Sequence, residues 1–489
     1  MKKMNAFALT LGFAMSSLGF SQLAAQEVAS PTGPDGIWQS QGYGRIMEIQ
    51  NGQYRIREVT QVSCLDGSSG SMSDFTIKLD PGHDRMAILE GFDAYGFRRI
   101  GQLPQICLSP DANAASEDPR RNFEVFAQTI EEHFAYFDLA AVRWPELRAS
   151  LRARLTAEST PAELLMVMEE ALEALNDGHG EVSPSEGAIE EAPNASEPLQ
   201  AAAQTEKDYG DFEIAGLVAA HHLETDMTKN SPLIKWGLLS DRTGYLQINI
   251  MTLYARFPEL QERIDREGFM SVYLQQIDIM TSAERLERET AGIAAVMDRA
   301  MRDLAGMDRI VLDLRFNGGG FDEVGLEALK RFNDKRRLIA SKIACTQAGC
   351  TRPLPIHLDS SDDAYTKPVL LLVSPQTGSA AEMFTLSAQA LPNVTIAGSA
   401  TMGAISDAFE RTLPNGWTFT ISNEEYFDTQ MRSFETRGVP VAKELSYPRG
   451  RQAFFRGVAR DLSADKAAIM ALLDEMHPSS VGALPETSG

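Results

Sequence analysis

Two segments with consecutive apolar residues constrain this chain more than any other feature: R-I-V-L-D-L-R-F-N (309–317), which reads as a buried strand, and V-L-L-L-V (369–373). A strand that is apolar throughout, rather than at alternate positions, is covered on both faces of its sheet. A helical pattern follows each run, at about 322–332 and at 379–390, and V-T-I-A-G (394–398) reads as a further strand. G-Y-L-Q-I-N-I-M (244–251) opens the series, and the Ala- and Met-rich stretch 291–305 predicts a helix. Buried strands alternating with helices predict an α/β fold over residues 240–475, closed by a helix at about 463–475.

The rest of the chain differs in texture. Residues 34–106 alternate in W-Q-S-Q-G-Y-G-R-I-M-E-I and Q-Y-R-I-R-E-V with turn residues between, which predicts a small β domain over 30–110. Residues 120–182 are helical, and Thr160 followed by Pro161 marks a helix start there. An acidic stretch rich in Ala, Pro and Ser (183–210) reads as a linker or loop.

At the N-terminus, Lys2 and Lys3 precede a short apolar run (6–20) and the small residues Ala24 and Ala25. That is the layout of a secretory signal peptide over 1–25. The run is shorter than the roughly 20 residues that span a bilayer. The expectation is an exported protein, periplasmic or extracellular, with no membrane anchor after cleavage. The four cysteines fit that compartment, and local separation favours Cys64–Cys107 and Cys345–Cys350 over the other pairings. Neither pair has metal-ligand spacing, so no metal or other cofactor is expected. With 68 acids against 45 bases, a net charge of -23 opposes nucleic acid as a partner.

Three small segments hold the residue types of acyl transfer. N-G-G-G (317–320) lies between a buried strand and a helix, either a tight turn or a source of free amides for an oxyanion. Ser379 precedes Glu382 by three residues, the spacing of a capping box, yet it also stands where a strand meets a helix and a nucleophile would be exposed. No Lys lies between Ser379 and Lys443, so a His is the natural base. Of seven histidines, His179 in D-G-H-G is flanked by glycines past a helix end, whereas His133 fits an apolar helical pattern.

Five segments occur in order: L-N-D-G-H-G (175–180), I-V-L-D-L-R-F-N-G-G-G (310–320), T-G-S-A-A-E (377–382), G-S-A-T-M-G-A (398–404) and F-E-T-R-G-V-P (434–440). Together they resemble the serine peptidase family of the C-terminal processing (tail-specific) proteases and the tricorn core protease. The resemblance implies a crotonase/ClpP-like catalytic domain, with the helical region as a cap and the β domain at the N-terminus. It implies Ser379 as nucleophile. The tail-specific branch uses a Lys where this chain has Ala404, so the tricorn-like branch, with His179 as base and Glu435 as its orienter, is the better match. Gly178 replaces the Ser that the tricorn protease carries beside its His. Backbone amides of Gly318 or Gly319 and of Ala380 would form the oxyanion hole.

Too few residues separate His179 from Gly244 for an intact PDZ domain. The implied function is a serine endopeptidase acting on polypeptides. The alternative is a catalytically silent binding protein for peptides or apolar ligands on the same fold.

Overall fold

The structure is a computed structural model that describes residues 33–185, 187–188, 207–228, 231–346 and 349–476. The expected signal peptide and most of the expected acidic linker lie outside the described residues.

Seven antiparallel strands come first: β1 (Gly36–Ser40), β2 (Arg45–Gln50), β3 (Gln53–Val59), β4 (Cys64–Ser71), β5 (Thr76–Leu79), β6 (Arg85–Glu90) and β7 (Asp93–Ile100). They form one sheet in the order β4-β3-β2-β1-β7-β6-β5. Alternation along them buries Trp38, Met47, Ile49, Met86, Ile88 and Phe97 against one another. Cys64, at the start of β4, is bonded to Cys107.

Helices α1 (Pro119–His133), α2 (Trp144–Arg152) and α3 (Pro161–Leu175) follow. Thr160 caps α3 in a full capping box with Glu163, and Asn176 ends it in the left-handed conformation. The chain then turns into the short strand β8 (Glu181–Ser183), and α4 (Asp211–His222) follows the acidic stretch.

The second sheet holds β9 (Thr225–Asp226), β10 (Ile234–Ser240), β11 (Thr243–Ile248), β12 (Arg309–Asp313), β16 (Val369–Val373), β17 (Val394–Gly398) and β21 (Lys443–Glu444). Its order is β21-β17-β16-β12-β11-β10-β9, and it is parallel from β11 to β21. Between β11 and β12 run α5 (Gln261–Glu267), α6 (Phe269–Ile277) and α7 (Ser282–Leu304); α8 (Asp322–Leu329) follows β12. Next come β13 (Arg337–Thr346), β14 (Gly349–Cys350) and β15 (Leu354–Leu358), and then α9 (Ala380–Ala388) after β16. β18 (Ala408–Thr412), β19 (Thr418–Ser422) and β20 (Glu424–Asp428) precede β21, and α10 (Arg451–Arg460) and α11 (Leu462–Met476) end the described chain.

The apolar runs behave as their composition demands. Every residue of β12 from Ile310 onward and all of β16 are buried, with α7, α8 and α9 over one face and α11 over the other. Each fully buried Leu, Ile or Val stabilises the fold by about 1.5–3 kcal/mol over its exposed state. The result is a mixed α/β fold. The antiparallel strands around β13 and β18–β20 were not expected from the sequence. One of them matters for the site: β8, three residues long, pairs with β19 and anchors the turn that carries His179.

Candidate active site

Ser379 sits between β16 and α9. Its backbone is held at φ 51° and ψ -127°, a region that a side-chain-bearing residue seldom adopts. The turn is fixed on both sides. Ser379 donates its N–H to the Ala404 carbonyl (3.0 Å), and Gly378 donates to Asn317 (3.1 Å). In this conformation the Ser379 side chain makes no capping bond. It faces His179 instead, with Oγ 3.2 Å from Nε2, across a sequence separation of 200 residues.

The expected capping box is therefore absent, and this corrects the reading of Glu382. Its carboxylate is fully buried. Oε1 accepts the Thr401 hydroxyl and the Gly403 N–H (2.8 Å), and Oε2 accepts the Ala404 N–H (2.6 Å). Glu382 thus ties α9 to loop 401–404, whose Ala404 carbonyl holds the Ser379 amide. Burial lifts its carboxyl to about 7, against hydrogen bonds from Thr401, Gly403, Ala404 and the Ser379 backbone that favour the ionised form.

His179 is held by its own turn. Asp177 Oδ1 accepts the His179 N–H (3.0 Å), and the two Asp177 oxygens also take the hydroxyl (2.6 Å) and N–H (2.9 Å) of Ser422 at the end of β19. The Thr420 hydroxyl donates to the His179 carbonyl (2.6 Å). Burial pushes the imidazole pKa below its ordinary value, with Asp177 and Asp407 pulling the other way. Gly178 has no room for a side chain, because a Cβ there would lie 2.5 Å from the Ala404 Cβ. The two residues that depart from the related branches, Gly178 and Ala404, are thus packed against each other.

The glycine run lies against the serine. A Cβ on Gly319, whose φ is 113°, would fall 2.7 Å from the Ser379 Cβ. Gly319 spends its N–H on Asn317 Oδ1 (2.8 Å), while Asn317 Nδ2 donates to the Ile248 carbonyl (3.0 Å). Among the described residues, the N–H groups of Gly318 and Ala380 have no acceptor. Asn317 was not singled out in the sequence. Its signal was its place before the Gly run, where an Asx side chain typically fixes a turn.

Glu435 is buried but makes no hydrogen bond to His179. Its Oε2 accepts the N–H groups of Ile405 (2.9 Å) and Ser406 (3.1 Å). Burial first, then the nearby Glu382 and Asp177, raise its pKa to about 8 despite those amides. His179 Nδ1 is buried and without a partner among the described residues. The expected Cys64–Cys107 and Cys345–Cys350 bonds are both formed.

Residues 274–441 match the family model of peptidase family S41. The chain resembles the S41 peptidases. That match includes Ser379, the Gly run and Glu435, and lies C-terminal to His179. No curated protein matches the chain. Among solved structures, a putative peptidase from Parabacteroides merdae is 18% identical, with a TM-score of 0.50 over 72% of this chain and 99% of that one. Mature CPAF is 11% identical over 73% of this chain and 98% of that one (TM-score 0.49). The photosystem II D1 C-terminal processing protease is 15% identical over 72% and 99% (TM-score 0.40). At such identities the Parabacteroides structure speaks for the fold alone. The S41 match supports a peptidase, a hydrolase of the serine type.

Proposed function

We propose that the protein is an exported serine endopeptidase that cleaves polypeptides through an acyl-enzyme on Ser379, with His179 as general base. The observation that carries the proposal is the His179–Ser379 contact, made by residues 200 apart in sequence at hydrogen-bond distance. His179 Nε2 takes the Ser379 proton as Oγ attacks the peptide carbonyl. The tetrahedral oxyanion is received by the free N–H groups of Gly318 and Ala380, at the positive end of α9. His179 then protonates the leaving amine, the C–N bond breaks, and water releases the acyl group by the same route in reverse.

Glu435 fixes the loop that follows Ala404 through the Ile405 and Ser406 amides, rather than bonding His179 directly. The strands β11 to β21 with their covering helices support a crotonase-like peptidase domain, with α1–α3 as the element that brings the base. Two disulfides support an oxidising compartment, hence export. No helix among the described residues is long and apolar enough to cross a membrane.

The test is labelling by a fluorophosphonate, with cleavage of an unfolded protein as the second readout. Wild type is expected to label and cleave, while Ser379→Ala and His179→Ala lose at least about a thousandfold of turnover. A wild type that neither labels nor cleaves favours the binding protein, for which the unpartnered His179 Nδ1 is the supporting observation.

A further inference from the structure

A cavity of about 1200 Å³ opens between the N-terminal sheet and the β13–β15 strands, and neither Ser379 nor His179 lines it. Its walls are unusual for a chain of net charge -23. Arg45, Arg85, Arg98 and Arg352 line it, and none has a carboxylate within ion-pair distance among the described residues. Arg45 lies over the Phe409 ring, and its buried Nε has no hydrogen-bond acceptor.

The acids in the wall are already occupied. Asp93 is paired with Lys342 at 2.7 Å, and Glu132 Oε1 accepts the Gln61 N–H and the Gln128 amide at 2.8 Å each. Arg85, Arg98 and Arg352 are exposed and Arg45 is half-buried, and such guanidinium groups gathered around one concavity focus a positive potential there.

A second observation points to a ligand. His133, at the end of α1, also lines the cavity and is only 2% exposed, yet both its ring nitrogens lack partners among the described residues. Burial, with Arg411 and Arg45 nearby, lowers its pKa to about 3, so the ring is neutral and carries one N–H to give. A buried donor left without an acceptor is costly, and an incoming oxygen would relieve it.

We propose that this cavity binds an acidic segment of a polypeptide and so recruits anionic substrates to the enzyme. Carboxylates suit the site because arginine takes them in paired hydrogen bonds, and the four arginines are spread over β2, β6, β7 and the loop before β15. The wall is also joined to the catalytic loop. Lys342 bonds Asp407 (3.0 Å), three residues past Ala404, and Glu424 (2.9 Å). The binding claim stands by itself; only the word substrate rests on the peptidase reading.

The test is fluorescence anisotropy on the full chain with three labelled peptides of equal length, rich in Glu, in Gln and in Lys. The Glu peptide is expected to bind, to weaken as salt is raised, and to lose roughly tenfold or more in affinity in Arg98→Glu/Arg352→Glu. Because these arginines lie outside the catalytic machinery, fluorophosphonate labelling should be unchanged in that variant, which also reports that it is folded. Arg98→Gln/Arg352→Gln should give a smaller loss in the same direction.

Equal binding of all three peptides, or Glu-peptide binding indifferent to both variants, overturns the proposal. So does inorganic phosphate displacing the Glu peptide at equal charge concentration, which would mark a simple anion site. Glu-peptide binding by a protein that does not label would keep the site and sink the peptidase reading. Labelling without Glu-peptide binding would do the reverse.

Discussion

The base role proposed for His179 requires an uncharged ring, and burial favours the uncharged ring. A lowered pKa means that the free base persists to lower pH than in an ordinary histidine. The labelling rate should therefore rise with pH along a limb whose midpoint lies below about 6.5, and stay level through neutrality. A midpoint above neutrality would show that the ring is not held neutral as described. A second residue-scale prediction concerns Gly178 and Ala404. Gly178→Ser places a Cβ 2.5 Å from the Ala404 Cβ, which must displace the His179 turn. Overpacking of this kind costs about 1–3 kcal/mol, and labelling should fall at least about tenfold, a drop that a urea titration and a labelling time course check together. The sequence pattern brought Ser379 and His179 forward as residues. It said nothing of the contact between Gly178 and Ala404, because a missing side chain leaves no mark of what fills its space.

At the scale of elements, the decisive link is between α9 and loop 401–404, made by Glu382. Glu382→Ala would leave the Thr401 hydroxyl and the Gly403 and Ala404 amides without their acceptor. Each buried donor so abandoned costs about 1–3 kcal/mol, so urea unfolding should show a loss of about 3 kcal/mol or more, and labelling should fall as the Ala404 carbonyl releases Ser379. Glu382→Gln, which keeps one accepting oxygen, should recover part of both; equal loss in the two variants would deny the linking role. The S-x-x-E spacing concealed this, since a capping box and a buried strut share one pattern and only the backbone angles of Ser379 separate them. Thr160 and Glu163, with the same spacing on an exposed helix end, do form the box. The strands β12 and β16 were legible for the opposite reason: their consecutive apolar residues, Ile310–Leu312 and Val369–Val373, have one way to be buried. β13 carries Lys342 between Ser341 and Ile343, and β20 opens on Glu424 and Glu425. In β13 and β20 the pattern is interrupted by charges that find partners only in the fold, through Lys342 with Asp93, Asp407 and Glu424, and β19 is only five residues long.

Over the whole molecule, the buried carboxyls pull stability in two directions, and the pH at which each pull acts can be worked out. Burial raises Glu435 to about 8 and both Glu382 and Glu323 to about 7. Between the ordinary value near 4.5 and those raised values, the folded state holds protons that the unfolded chain has released. Stability must therefore fall as pH rises through that window. Asp407 and Asp465 behave oppositely. Burial works against them, but Lys342 lowers Asp407 to about 2, and Arg315 holds Asp465 below the usual range. What those two contribute is present above the ordinary Asp value and is lost only as pH drops below it. A net charge of -23 at neutrality adds self-repulsion on the alkaline side. Neutral, buried His133, lowered to about 3, pulls the other way up to about 6.5; the three raised carboxyls outweigh it, so thermal unfolding should come earlier at pH 8 than near pH 5, by roughly 5 °C or more. Glu435→Gln gives the control, because an amide keeps an oxygen for the Ile405 and Ser406 N–H groups and cannot ionise. It should raise the melting temperature at pH 8 and leave it unchanged near pH 5. A wild-type melting temperature that is flat or rising from pH 5 to 8 would mean that these carboxyls are already ionised in the fold, with Glu435 then charged beside Asp177 in the resting enzyme.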